Sequence, residues 1–427
     1  MAREMKHSGI EWIGEIPKEW KVLPHKYIMH KKKEIQEHYS GQDIISLTMN
    51  GVIVRDLDAG GKMPLSFDGY QVVYPNNLLL CLFDIDVTPR CVGLIKNYGV
   101  TSPAYSQFVV KEEGYPPYYD YLLRYMDDNK CLLHLSKNLR SSLTETDFGQ
   151  IHTCIPPLSE QQNIANYLDK VCGEVDEMIA LQEQMIEELK AYKQSVITEA
   201  VTKGLTPNVP MRDSGIDWIG EVPEHWQVTK IKMIAQTNSG STPRNISNSE
   251  DSDIVWIRTT DINDDIVCDS SIHLTQEEFS SASCPMLERG TCVVAMYGGG
   301  GTIGKSGFLD VPATINQALC SMEVNDSYHY KYLFCVLKAV RYYWMKYAVG
   351  TRKDPNISQE IVRNMFVPMP PLSEQQSIAS YLDTKCTEID ALIAIKQAKI
   401  DELKDYKKSV IYEYVTGKKE VVWIQKQ

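Results

Sequence analysis

Apolar residues in this chain keep two different periods. Over 156–202 they fall at Ile164, Leu168, Val171, Val175, Met178, Met185, Leu189, Tyr192 and Val196, in steps of three and four broken only where Gln182 takes a seam position. That is the heptad stripe of a long amphipathic helix. The stripe returns over 370–416 at Ile378, Leu382, Ile389, Leu392, Leu403, Tyr406 and Val410, interrupted by Lys385, Lys396 and Lys399. Each predicted helix is about 60 Å long at about 1.5 Å per residue. Neither can bury its stripe inside a small domain, so the economical arrangement is an antiparallel pair. Elsewhere short continuous apolar runs predict buried strands: 77–83 (NLLLCLF), 253–257 (DIVWI) and 291–297 (TCVVAMY). Segments 118–126 and 328–348 predict helices, the second rich in aromatics (Tyr332, Phe334, Tyr342, Tyr343, Trp344) that suit core packing. The chain reads as α/β (α+β).

The two long helices are copies. A slide of 214 residues aligns PPLSEQQNIANYLD with PPLSEQQSIASYLD, at 156 and 370. Ser159 with Gln162, and Ser373 with Gln376, predict a capping box at each start. A second pair lies upstream, HSGIEWIGEIPKEWKVLPHK (7–26) and DSGIDWIGEVPEHWQVTKIK (213–232), identical at eleven of twenty positions. Internal repeats of this kind decide architecture before any other feature. The order is head, variable region, helix, then head, variable region, helix. The linker 204–215 carries two prolines and reads as extended. VTGKKE near residue 420 resembles the start of that linker, and MKHSG (5–9) resembles its end, MRDSG. The chain looks like a circle cut open.

Composition narrows the function. The chain has 427 residues, room for two or three domains, with 43% hydrophobic and 23% charged residues. A formal net charge of −12 argues against a free-standing nucleic-acid binder, which carries a basic footprint. Eleven cysteines without a C-x-x-C pair read as reduced thiols in a cytoplasmic protein. No apolar run approaches a membrane span and no metal-ligand spacing stands out.

The doubled heads, the doubled PPLSEQQ-x-IA-x-YLD helix, GSTPRN (240–245) before IVWIRTTDI (254–262), and SPAY (102–105) together resemble the specificity subunit of type I restriction-modification systems. The likeness runs the length of the chain. It implies two globular target-recognition domains joined by two long antiparallel coiled-coil helices in a pseudo-twofold, circular arrangement. Their extents would be 1–155 for the first domain, 156–203 for the first helix, 204–369 for linker and second domain, 370–416 for the second helix and 417–427 for a tail. It implies a non-catalytic chain that reads a bipartite, gapped double-stranded DNA target and scaffolds two methyltransferase subunits, joined by endonuclease/translocase subunits. No cofactor is expected here; S-adenosylmethionine and ATP with Mg belong to those partners. Two readers at a fixed separation suit two half-sites on one duplex.

Other readings compete. Gly299 to Ser306 spells G-x-x-x-x-G-K-S after a strand-like run, the string of a P-loop ATPase, but a P-loop needs a helix to follow and Pro312 with no amphipathic period follows instead. A glycine loop carrying Lys305 to a DNA phosphate is the better reading. GYPPYYD (114–120) approaches the loop of a self-contained amino-methyltransferase, yet Tyr115 stands where an amide or carboxylate is needed, so a turn before a helix is expected. HKKKEIQEH (30–38) reads as a solvated charge run, and Asp84 and Asp86 as loop residues. A coiled-coil adaptor without DNA contact is the third class. By side-chain chemistry, with Arg and Lys for guanine and phosphate and Asn for adenine, the expected DNA contacts are Arg90, Lys96, Lys137 and Arg140 in the first region. In the second they are Arg244, Asn245, Lys305, Arg352 and Lys353.

Overall fold

The computed structural model describes residues 3–49, 51–58, 64–88, 90–135, 141–247, 252–282, 284–298, 301–350 and 355–421. It divides into two compact units: Met1–Gln182 with Ala398–Gln427, and Glu183–Gln397. The division runs through the interiors of the two long helices, Leu158–Lys203 and Leu372–Val415, because each globular region packs on one end of each helix.

In the first unit the head forms a hairpin, Met5–His7 against Glu15–Pro17, and the chain then pairs Lys21–Pro24 with His152–Ile155. One helical turn, His25–Ile28, redirects it into an antiparallel sheet ordered Met29–Lys32, Ser106–Val110, Leu78–Leu80, Val92–Leu94. The helix Pro116–Asp128 covers that sheet, its N-terminal prolines occupying the positions that need no donor. Tyr118, Leu122 and Met126 of this helix share one core with Trp20, Ile164, Leu168, Val410 and Val415. Asp176 pairs with Lys407 at 2.6 Å and the rings of Tyr167 and Tyr414 lie 4.5 Å apart, so the two helices run antiparallel here.

The second unit repeats the plan with other residues. Met211–Asp213 pairs with Glu221–Pro223, and Gln227–Lys230 with Phe366–Met369. The turn Ile231–Ile234 leads into a sheet ordered Ala235–Ser239, Leu319–Val324, Cys292–Ala295, Ser306–Leu309, Asp265–Val267, the last pair parallel. A smaller sheet centres on Ile254–Ile257, flanked by His273–Leu274 and Thr314–Ile315. Lys193 and Asp390 pair at 2.6 Å while Tyr381 shares a cavity with Glu199 and Lys203, again an antiparallel pair. Residue 32 faces 107 as 238 faces 321, so the inserts are the same topology with eight more residues before the second strand in the second unit.

Sequence expectation and structure part at three places. The long helices do not start with a serine capping box. Their first amide bonds go to Pro157 and Pro371, which puts Ser159 and Ser373 inside the first turn. Glu160 and Gln161 do the fastening instead. Trp20 donates its indole N–H to Glu160 (2.9 Å), and buried Gln161 accepts from the Tyr115 amide (2.8 Å) and donates to the Pro156 carbonyl (2.9 Å). In the second unit Trp226 donates to Glu374 (2.9 Å), and Gln375 joins the His329 amide (2.7 Å) to the Pro370 carbonyl (2.9 Å).

The buried face of the helices keeps only part of the predicted seam. Ile164, Leu168, Val175, Ile378, Leu382, Ile389, Leu403 and Val410 are buried as expected, but Met178, Met185, Tyr192, Leu392 and Tyr406 are exposed while Ile186, Ile197 and Ile400, off the seam, are buried. Each helix carries apolar residues on more than one face, and the face turned to the globular region wins. Finally, the aromatic helix stops at Val340 and restarts at Trp344 after a 3-10 turn. Gly304, at φ +76°, lies so close that a Cβ there would sit 2.4 Å from Trp344 Cδ1, and Trp344 is fully buried beside it while Tyr342 faces solvent.

Candidate nucleic-acid interface

In the second unit the strands Ala235–Ser239 and Cys292–Ala295 end where Leu319–Val324 and Ser306–Leu309 begin. Register therefore brings three connections to one end of the sheet: 240–247, 296–305 and 316–318. A fourth segment joins them, since Tyr297 bridges to Asn356 and the Ile357 amide donates to the Met296 carbonyl (2.8 Å). Loops at one end of a rigid sheet are the usual place for recognition residues, because the scaffold positions them without constraining their identity. The first of these loops is pinned at its root. The Ser241 amide donates to Ile315 O (3.0 Å) and the Trp256 indole to Ser241 O (3.2 Å). At Gly240 a Cβ would fall 1.8 Å from Ile315 O, so only glycine lets the two strands approach.

Beyond that root, the Thr242 hydroxyl donates to the Gln317 side-chain carbonyl, and the Tyr297 phenol lies near the same amide. Thr242, Tyr297 and Gln317 are all exposed. Arg244 and Asn245 are exposed two and three residues further along the same loop. Lys305 closes the glycine-rich connection, but its ammonium donates to Asn263 (3.0 Å) on the neighbouring segment. Beside it Arg341 is ion-paired with Asp264, whose carboxylate also accepts from the Ser306 amide (2.9 Å). The chain after Lys305 is a strand, Ser306–Leu309, antiparallel to the one before the loop. With a strand in place of a helix after Lys305, the described part of the P-loop string offers no helix N-terminus to a phosphate; Gly299 and Gly300 lie outside the described residues.

The first unit gathers 33–38, 81–91 and 102–105 at the corresponding end. Buried Gln71 holds the SPAY turn by donating to the carbonyls of Ser102 (2.9 Å) and Tyr105 (2.7 Å), and Phe83 stacks on Tyr105 at 6.4 Å. Arg90 belongs to this end, but its guanidinium is mostly buried and faces Asp128 at 3.2 Å. Its neighbour Asp120 is buried too; burial pushes that carboxyl up, opposed by Arg124 at 2.7 Å. Lys96 is exposed, yet it follows the far end of Val92–Leu94 and stands apart from these loops. In the run 30–38, Lys31 pairs with Glu145 and Lys32 lies 3.5 Å over the Tyr74 ring, so the run is an anchored sheet edge. Lys137, Arg140, Arg352 and Lys353 lie outside the described residues. The structure thus gathers Arg244, Asn245 and Lys305 in one place. Sequence reasoning passed over Thr242, Tyr297 and Gln317, although the 214-residue slide places Asn316 and Gln317 on the Ser102 and Pro103 of SPAY.

Two units of one topology, fastened to paired helices by the same Glu and Gln contacts and carrying unlike loops, define a recognition scaffold. Known proteins of similar sequence and fold point the same way. Residues 223–405 match the type I restriction modification DNA specificity domain. Among curated relatives, the type I restriction enzyme MjaVIII specificity subunit of Methanocaldococcus jannaschii is 26% identical over 64% of this chain and 63% of its own length. The putative MjaX specificity subunit of the same archaeon is 23% identical over 71% and 68%. The first match therefore spans less than two thirds of that relative. Among solved structures, one from work on complex assembly and conformational transition of the type I R-M system superposes with a TM-score of 0.73 at 16% identity, over 94% of this chain and 98% of its own. The HsdS subunit from Thermoanaerobacter tengcongensis gives 0.51 at 16% identity, over 94% and 98%. Residues 223–405 thus match that specificity domain, and the chain as a whole is similar to specificity subunits of type I restriction-modification systems.

Proposed function

We propose that this chain reads a bipartite, gapped target on double-stranded DNA and does no chemistry itself. Each unit reads one half of the target through its sheet-end loops. The observation that carries this reading is the repeat: matching fastenings at Glu160 and Glu374, and at Gln161 and Gln375, hold two loop sets of different sequence. A frame kept constant around exchanged loops separates specificity from assembly.

Assembly then falls to the helices. Met178, Leu181 and Tyr406 in the first unit, and Met185, Tyr192, Leu392 and Ile395 in the second, are exposed apolar residues at helical spacing. Such stripes in both units fit two copies of one partner, and the methyltransferase subunit, bringing S-adenosylmethionine, is that partner. Endonuclease/translocase subunits bring ATP and Mg to the assembly. The partners also supply much of the basic surface, which reconciles a net charge of −12 with DNA binding. Among the described residues no helix is long and apolar enough to cross a membrane, and the complex works in the cytoplasm on chromosomal DNA.

A map of N6-methyladenine in the genome that carries the gene tests the reading. Deleting the gene removes methylation from one gapped, two-part motif. A purified complex that methylates without sequence preference, or a map unchanged in a strain whose methyltransferase is active, overturns it.

A further inference from the structure

The polar trio at the sheet end of the second unit has a countable hydrogen-bond inventory. A glutamine amide offers two N–H donors and two carbonyl lone pairs. At Gln317 the Thr242 hydroxyl uses one carbonyl lone pair. If the amide is flipped, the same hydroxyl accepts from an N–H instead. Either way at least one donor and one acceptor remain side by side, on an exposed side chain tethered by Thr242.

One donor beside one acceptor is the complement of the adenine edge in the major groove, where N6–H donates and N7 accepts. Guanine shows two acceptors there, cytosine a donor and thymine an acceptor with a methyl group, and none of these satisfies both groups of the amide. We infer that Gln317, held by Thr242, is a direct base reader of the second unit and selects adenine through its major-groove edge. Arg244 and Asn245, exposed on the Thr242 loop, then meet the flanking backbone. The first unit has Pro103 at the place of Gln317 and lacks this reader, so the adenine belongs to one half of the target only. This inference deepens the proposed DNA-reading function and rests on it.

The test compares the wild-type complex with Gln317→Ala and Thr242→Val by selection from a pool of randomised duplexes, and by methylation mapping in the strain that carries the gene. Wild type is expected to return one gapped motif. Gln317→Ala should lose discrimination at a single A·T pair in one half, roughly 5- to 150-fold, the worth of one good bidentate base contact. The other half and the salt dependence should stay unchanged. Thr242→Val, which frees the amide to rotate, should weaken the same position and no other. Replacing that adenine by 7-deazaadenine in the wild-type complex should reproduce the loss, because only the major-groove N7 is removed. Uniform weakening on every sequence would make Gln317 a backbone contact and overturn the inference, as would an unchanged motif or a loss insensitive to 7-deazaadenine. No motif for wild type would instead overturn the DNA-reading function itself.

Discussion

His25 and Ile231 hold the same place in the two units, at the head of the helical turn that redirects the chain into its sheet. Both are fully buried, and the His25 ring lies 4.6 Å from that of Phe148. Burial penalises the imidazolium and lowers the His25 pKa from 6.5 to about 4. In the unfolded chain the group protonates near pH 6.5, so between there and pH 4 the unfolded state binds the extra proton. The first unit is therefore most stable above pH 6.5 and loses about 1.4 kcal/mol per pH unit below it, about 3 kcal/mol in all. His25→Ile, the residue of the second unit, should abolish that loss. Urea unfolding at pH 7.5 and 4.5 measures it, and an equal acid loss in the variant would remove His25 as the cause.

At the scale of elements, the repeated PPLSEQQ is a clasp. Its first glutamine is buried against the amide before the covering helix, and the second, Gln162 or Gln376, is exposed. Gln161→Ala orphans the Tyr115 amide and the Pro156 carbonyl, which costs about 1–3 kcal/mol. Gln162→Ala should cost almost nothing. Gln375→Ala should weaken the second unit in the same way. Exchange of the Tyr115 and His329 amides reads each clasp separately, and equal effects of Gln161→Ala and Gln162→Ala would contradict this assignment. The repeated letters announced that some shared role existed, and local rules then favoured the wrong residues. A capping box is a contact within four residues and can be read from a string, whereas Glu160 meets Trp20 and Gln161 meets Tyr115 across the fold. The same limit explains the helix faces. Periodicity located both helices to within a few residues, but the choice between Met185 and Ile186, or Val196 and Ile197, depends on where the globular region sits. It also explains Arg90. A cation in a loop looks available until Asp128 is brought beside it by the fold.

For the whole molecule, the open circle legible in MKHSG and VTGKKE becomes a statement about packing. In the first unit the head rests on the last turn of the second long helix. Tyr412 donates to the Ile13 carbonyl (3.5 Å), Lys418 to the Glu15 carbonyl, and Tyr118 to the Val415 carbonyl (2.9 Å). In the second unit Tyr332 donates to the Val201 carbonyl (2.9 Å), so its head region and covering helix meet the first long helix in the same manner. The difference is covalent. The second unit has the linker 204–210 between helix and head, and the first has a break in the chain. Extended and exposed over most of its length, that linker carries no core residue between Leu205 and Val209. A permuted chain that begins at Asn208, ends at Pro207 and joins residue 421 to residue 3 through a flexible spacer of about eight residues exchanges the two situations. Such a spacer spans roughly 15 Å on average, and breaks in exposed linkers are the ones folds tolerate. The permuted chain should unfold within a few degrees of the natural one and return the same two-part motif. Loss of the motif from the second unit alone would mean that the linker, not the packing of head on helix, holds that unit together.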